Sequence, residues 1–143
     1  MQHLRFRPEW LLPAIVAVLS SNPTVNAQTN AYALGAIGTT WGGEHVRLQV
    51  TADGVTLDFD CAIGTIAKPL RVDAQGDFKT TGTFTRERPG PVMRDGNPAV
   101  VATYSGSVQN GTMKLTITSS AGGESFGDYV LVQGKPGHVV KCR

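Results

Sequence analysis

The segment HVRLQVTADGVTLDFDC alternates apolar and polar residues on both sides of Asp53-Gly54, and this pattern constrains the fold more than any other feature of the chain. A period of two puts successive side chains on opposite faces of a strand, so each flank reads as a half-buried β-strand. With Asp53-Gly54 as a two-residue type I′ turn, Val50 faces Leu57, Leu48 faces Phe59 and Val46 faces Cys61. A slip of one residue would set these apolar groups against Thr51, Gln49 and Arg47.

The rhythm continues to the C-terminus. In YSGSVQNGTMKLTI, an Asn110-Gly111 turn pairs Val108 with Met113, Gly106 with Leu115 and Tyr104 with Ile117. Between these two hairpins, Leu70, Val72, Phe78 and Phe84 share one face across a turn containing Gly76. SFGDYVLVQG and HVVKCR flank a Gly-Lys-Pro-Gly turn, and the run Tyr129–Val132 leaves its inward face open. Gly82 and Gly106 lie within strands, where glycine permits bulges or sharp bends. The pattern predicts an all-β chain of about eight antiparallel strands in an up-and-down barrel of lipocalin or streptavidin type, with a two-sheet sandwich as the alternative.

Before the strands, Arg5 and Arg7, the apolar run Leu11–Leu19 and Val25-Asn26-Ala27 have the order of an export leader cleaved after Ala27. The expected organisation is a leader over 1–27, a flexible mature N-terminus over 28–40 and one β-barrel domain over 41–143. Leu11–Leu19 is far below the roughly 20 residues of a membrane-spanning helix. Removing the leader takes Arg5, Arg7 and Glu9 from 13 basic and 11 acidic residues and leaves a net charge of +1. Near-neutrality argues against a nucleic-acid binder or a polybasic membrane-surface protein. The expectation is a secreted or periplasmic monomer without cofactor.

In such a compartment Cys61 and Cys142 read as one disulfide, against the alternative of two free thiols. In a closed barrel the second and eighth strands both flank the first, so their backbones stand roughly 9–10 Å apart. A disulfide spans at most about 7 Å between Cα atoms, so the bridge requires a pinched rim.

An up-and-down path sends alternate turns to alternate ends. One end receives Asp53-Gly54, Asp73–Gly76, Asn110-Gly111 and Gly134–Gly137, all tight. The other receives TTWGGEH, AIGT, the arginine- and proline-rich connection over 86–98, SSAGGES and both cysteines.

Candidate binding residues therefore collect at the irregular end: Arg86, Arg88 and Arg94 as a carboxylate or phosphate clamp, with Trp41, Glu44 and His45. The opposing reading gives the arginines to local ion pairs and Trp41 to packing. The lumen is expected to hold mostly side chains, including Phe59, Phe78, Phe84, Tyr104, Met113 and Leu115. No G-x-S-x-G, H-E-x-x-H or zinc-type Cys/His spacing occurs, and Asp58 and Asp60 read as a solvated acidic stripe. His45 and His138 approach each other only if the first and last strands pair. No catalytic residue and no metal ligand is assigned.

WGGEHV, DFDCAIGTI, TRERPGPV, YSGSVQNGTMKLTI and the terminal VVKCR resemble a group of small exported bacterial β-proteins without an assigned activity. The resemblance covers most of the chain from Trp41 onward and implies a periplasmic or secreted β-protein. A looser similarity is to periplasmic lysozyme and protease inhibitors, small exported barrels with a disulfide, although no inhibitor motif matches residue by residue. The expected function is a non-enzymatic binding protein whose irregular end recognises a small molecule, an envelope component or a protein. The alternative is an inhibitor of a secreted hydrolase that inserts the 86–98 connection, and an enzyme with its site at that rim is a third possibility.

Overall fold

The computed structural model describes residues 32–91 and 94–142. The leader over 1–27 and the start of the expected mature chain lie outside them. Among the described residues ten strands form: β1 (Tyr32–Ala33), β2 (Thr40–Gly43), β3 (Val46–Val50), β4 (Val55–Phe59), β5 (Ala62–Ile66), β6 (Arg71–Val72), β7 (Asp77–Arg86), β8 (Val100–Gln109), β9 (Thr112–Ser119) and β10 (Ser125–Gln133). Eight of them close an antiparallel barrel in the order β10-β2-β3-β4-β5-β7-β8-β9, while β1 and β6 pair separately. The up-and-down barrel replaces the sandwich alternative because β10 closes onto β2 through Val132–Gly42 and Gln133–Trp41.

The Asn110-Gly111 hairpin has the expected register, with Val108 opposite Met113, Gly106 opposite Leu115 and Tyr104 opposite Ile117. The first hairpin differs by two residues: Val50 faces Val55, Leu48 faces Leu57 and Val46 faces Phe59. Its loop is Thr51–Gly54, closed by the Thr51 N–H donating to the Gly54 carbonyl at 2.9 Å and the Gly54 N–H donating to Thr51 Oγ1 at 3.1 Å. Glycine serves there for a close approach, since a Cβ on Gly54 would collide with the carbonyl of Ile66. An even shift preserves facing, so the same side chains still point inward.

Two expected strands lie elsewhere. The AIGT segment, read as a crossing, is barrel strand β5, whereas Leu70–Val72 leaves the barrel to pair with β1 as Tyr32–Val72 and Ala33–Arg71. The described part of the C-terminal HVVKCR segment, His138–Cys142, is no strand: one parallel bridge joins Glu44 to His138, and the tail continues to Cys142. Within the stretch expected to be a flexible lead-in, Leu34 is buried and its N–H bonds to the Leu70 carbonyl at 3.2 Å, while Tyr32 and Ile37 are exposed. Leu34, Leu70 and Val72 belong to the core cluster beside the Thr51–Gly54 turn and plug that end of the barrel.

Trp41, Val46, Leu48, Leu57, Phe59, Phe78, Phe84, Tyr104, Met113, Leu115, Ile117 and Leu131 fill the interior. Leu131 settles the facing of the last strand: it points inward, whereas Val130 is exposed. Gly82 and Gly106 mark no bulge, since pairing runs unbroken through both. They mark tight packing instead, where a Cβ would strike the carbonyls of Thr65 and Lys114 respectively. The outer face carries Arg47, Thr56, Thr65, Lys79 and Lys114, all exposed. The same face also carries the exposed apolar residues Ile63, Val101 and Val130. Among the described residues, no helix is long and apolar enough to cross a membrane.

Alternation divides the turns as expected. Glu44-His45, Asp60-Cys61, the described parts of the connection between β7 and β8 (87–91 and 94–99) and 120–124 share the rim opposite the plug.

Candidate functional site

Four aromatic rings lie toward the rim. Phe59 stands 5.5 Å from Phe84 and 5.0 Å from Tyr129, and Phe84 stacks on Phe126 at 4.5 Å with planes 4° apart. Phe126 owes its position to a break in the β9–β10 ladder between Ser125 and Gly127. Gly127 takes a φ of 131°, and a Cβ there would press on the Tyr129 ring. Bulges at barrel rims turn a side chain away from strict alternation, and here the side chain is Phe126.

Above this stack β7 runs on to Arg86, which pairs with Ala62 across β5. The Arg86 guanidinium lies 5.6 Å from the Phe126 ring centroid and donates to Glu124 Oε1 at 3.1 Å. Phe84, Phe126, Val100 and Pro98, with Arg86, Arg88, Asn97, Ser119 and Glu124, line a groove of about 310 Å³. Arg88 is exposed and has no ion-pair partner among the described residues.

Other polar groups of the rim hold the C-terminal tail. Glu44 and His45 form the β2–β3 turn, and His45 has a φ of 65°. His45 N–H donates to the His138 carbonyl at 2.8 Å, and His138 N–H donates to Gly43 at 2.9 Å. The His45 ring meets Asp60 Oδ2 at 2.6 Å, and His138 meets Glu44 at 3.3 Å. Asp60 Oδ1 also accepts the Val140 N–H at 2.9 Å. That backbone bond, with the hydrogen bond and charge of His45, holds the Asp60 carboxyl below its ordinary value. Lys141 bridges Asp58 at 3.2 Å and Glu87 at 3.4 Å, so Asp58 and Asp60 clasp the tail instead of forming a free acidic stripe. Partial burial, then the charges of Asp60 and Asp128, push the Tyr129 phenol up.

The tail ends in the Cys61–Cys142 disulfide, with Cα atoms 5.1 Å apart. No pinch of the barrel is needed, because Cys142 follows no barrel strand and Cys61 sits in the Asp60-Cys61 turn. His45 and His138 do come together, through the tail rather than through strand pairing.

The expected site residues thus separate into three groups. Arg86 and Arg88 share the groove. Glu44 and His45 belong to the tail clasp. Trp41 is 2% exposed within the core, where its Nε1 has no hydrogen-bond partner, so its ring serves packing and does not reach the rim. Arg94 is exposed and lies outside the groove lining. Phe126 and Glu124 went unnoticed in the sequence; the available signal was a glycine straight after an aromatic residue inside a strand, SFG. Among the described residues, no three His, Cys, Asp or Glu side chains are placed to hold a metal ion. No protein-family model, curated protein or solved structure matches this chain.

Proposed function

We propose that this chain is an exported, non-enzymatic binding protein that recognises its ligand through the rim groove and not through the barrel lumen. The observation that carries this reading is the groove itself, an apolar floor of Phe84 and Phe126 edged by Arg86 and Arg88, on a barrel whose interior is occupied by its own side chains. Apolar surface with a few oriented polar groups is the usual composition of a ligand site. Glu44, His45, Asp58, Asp60 and Glu87 are tied to the tail, which favours binding over acid–base chemistry. Export is supported by the leader-like N-terminus and by the disulfide, a bond that persists in oxidising compartments.

Native mass spectrometry of the protein from its own envelope fraction, beside a Phe126→Ala variant, tests the reading. A species of small-molecule mass retained by the first and lost from the second is the expected result. Equal retention by both contradicts it. A retained protein released by shortening the 88–98 connection would establish the hydrolase-inhibitor reading instead.

A further inference from the structure

We infer that the rim groove takes a small amphipathic monocarboxylate, a compact apolar body bearing one carboxylate, with Arg88 as the primary anion contact. This inference rests on the rim-binding reading and adds the chemical class of the ligand.

Size comes first. A groove of about 310 Å³ lies at the lower edge of small-molecule sites, which run from about 300 to 1,000 Å³. It suits one or two fused rings or a short acyl chain.

The shape of the floor comes next. Phe84 and Phe126 stack face to face, 4.5 Å apart with their planes 4° from parallel, and Val100 and Pro98 extend the apolar surface beside them. Burying the apolar body of a ligand against this surface supplies the hydrophobic part of the affinity.

Charge then selects the sign. Two guanidinium groups and one carboxylate line the groove, a local excess of one positive charge. Glu124 is matched by Arg86, while Arg88 has no partner among the described residues. Both members of the Arg86–Glu124 pair are more than half exposed, at 63% and 65%, and such pairs are weak, so Arg86 is free to share a second acceptor. Phe126 beneath the Arg86 guanidinium holds it over the groove. A planar carboxylate fits the guanidinium fork. A phosphate dianion would overbalance the single excess charge beside Glu124, and an ammonium ion would meet the same excess with the wrong sign. Asn97 and Ser119 supply neutral hydrogen-bonding groups at the edge.

The test is calorimetric titration of the full chain with four probes sharing one ring system: 2-naphthoate, 2-naphthamide, 2-naphthyl phosphate and 2-naphthylmethylamine. The expected order places 2-naphthoate first, with the amide weaker by at least about tenfold, the scale of a hydrogen bond to a charged group. Arg88→Gln should bring the naphthoate affinity down to that of the amide and leave the amide unchanged. Phe126→Ala should weaken both, and Arg71→Gln, at the plugged end, should alter neither. Near-ultraviolet circular dichroism of each variant confirms that the core is intact. An amide or amine binding as well as the acid, or naphthoate binding unaffected by Arg88→Gln, overturns the inference. If a neutral or cationic probe still depends on Phe126, the carboxylate class fails while the rim reading stands. If no probe binds, the ligand class fails, and the species retained from the envelope fraction decides the rim reading separately.

Discussion

The Tyr104 hydroxyl donates to the Thr83 carbonyl at 2.6 Å, deep in the barrel, with Gly64 lying directly over it. Tyr104 is fully buried, and burial pushes its phenol far above the ordinary value. The ring therefore stays neutral and needs that carbonyl. A Cβ on Gly64 would overlap the hydroxyl, with Tyr104 Cζ next at 3.3 Å and Leu57 Cβ at 3.4 Å. Tyr104→Phe is expected to lose about 1 kcal/mol of stability, and Gly64→Ala about 1–3 kcal/mol from overpacking. The double variant should be less destabilised than their sum, because removing the hydroxyl makes room for the methyl group. Urea denaturation of the four proteins checks this, and strict additivity would mean that the two residues do not meet.

The disulfide closes a loop with a sequence separation of 81 and anchors a tail that makes no strand. Its reduction, or Cys142→Ser, should lower stability by about 2–4 kcal/mol. The tail should detach before the barrel melts, because its remaining ties are exposed hydrogen bonds and ion pairs. Amide exchange at His45, whose N–H donates to the tail carbonyl of His138, should then accelerate while exchange at Leu115 in the core stays slow. Equal acceleration at both would show that the tail and barrel unfold as one unit.

Acid should act through the same clasp. Asp60 has a folded value below its ordinary 3.8, so its ionised form stabilises the fold above that pH, and the contribution disappears as pH falls through the folded value. Asp60→Asn keeps an acceptor for the Val140 N–H but removes the charge facing His45. The variant should be less stable than the parent near neutrality and should converge with it as pH falls through the folded value of Asp60. A stability difference that is constant with pH would remove Asp60 from the acid response.

At the opposite end, Leu34→Ala should cost about 2–4 kcal/mol by emptying the plug over the β3–β4 turn. Thermal denaturation measures it, and a change near zero would return residues 32–39 to the status of a loose lead-in.

These results show which parts of the molecule local chemistry encodes. Asn110-Gly111 has positive φ at both residues, 51° and 73°, as its hairpin turn requires, and the register follows from the two letters. Asp53-Gly54 looks alike but answers to the distant Ile66 carbonyl, a contact that no local pattern contains. The division of turns between two ends survived the exchange of two strands because a meander alternates whichever segments compose it. Arg86 and Arg88 were visible as an irregular charge cluster. Phe126 was not, because its exposure to the groove depends on a bulge, and the assignment of Glu44 and His45 to the tail depends on where Cys142 is tied.

Site-specific photo-crosslinking in the cells that make this protein tests the central claim most directly. A photoreactive phenylalanine analogue at Asn97, on the rim groove, should capture a small-molecule adduct located by mass spectrometry. The same analogue at Asn110, on the opposite end, should capture none. An adduct at Asn110 alone, or equal labelling of both positions, would contradict recognition at the rim.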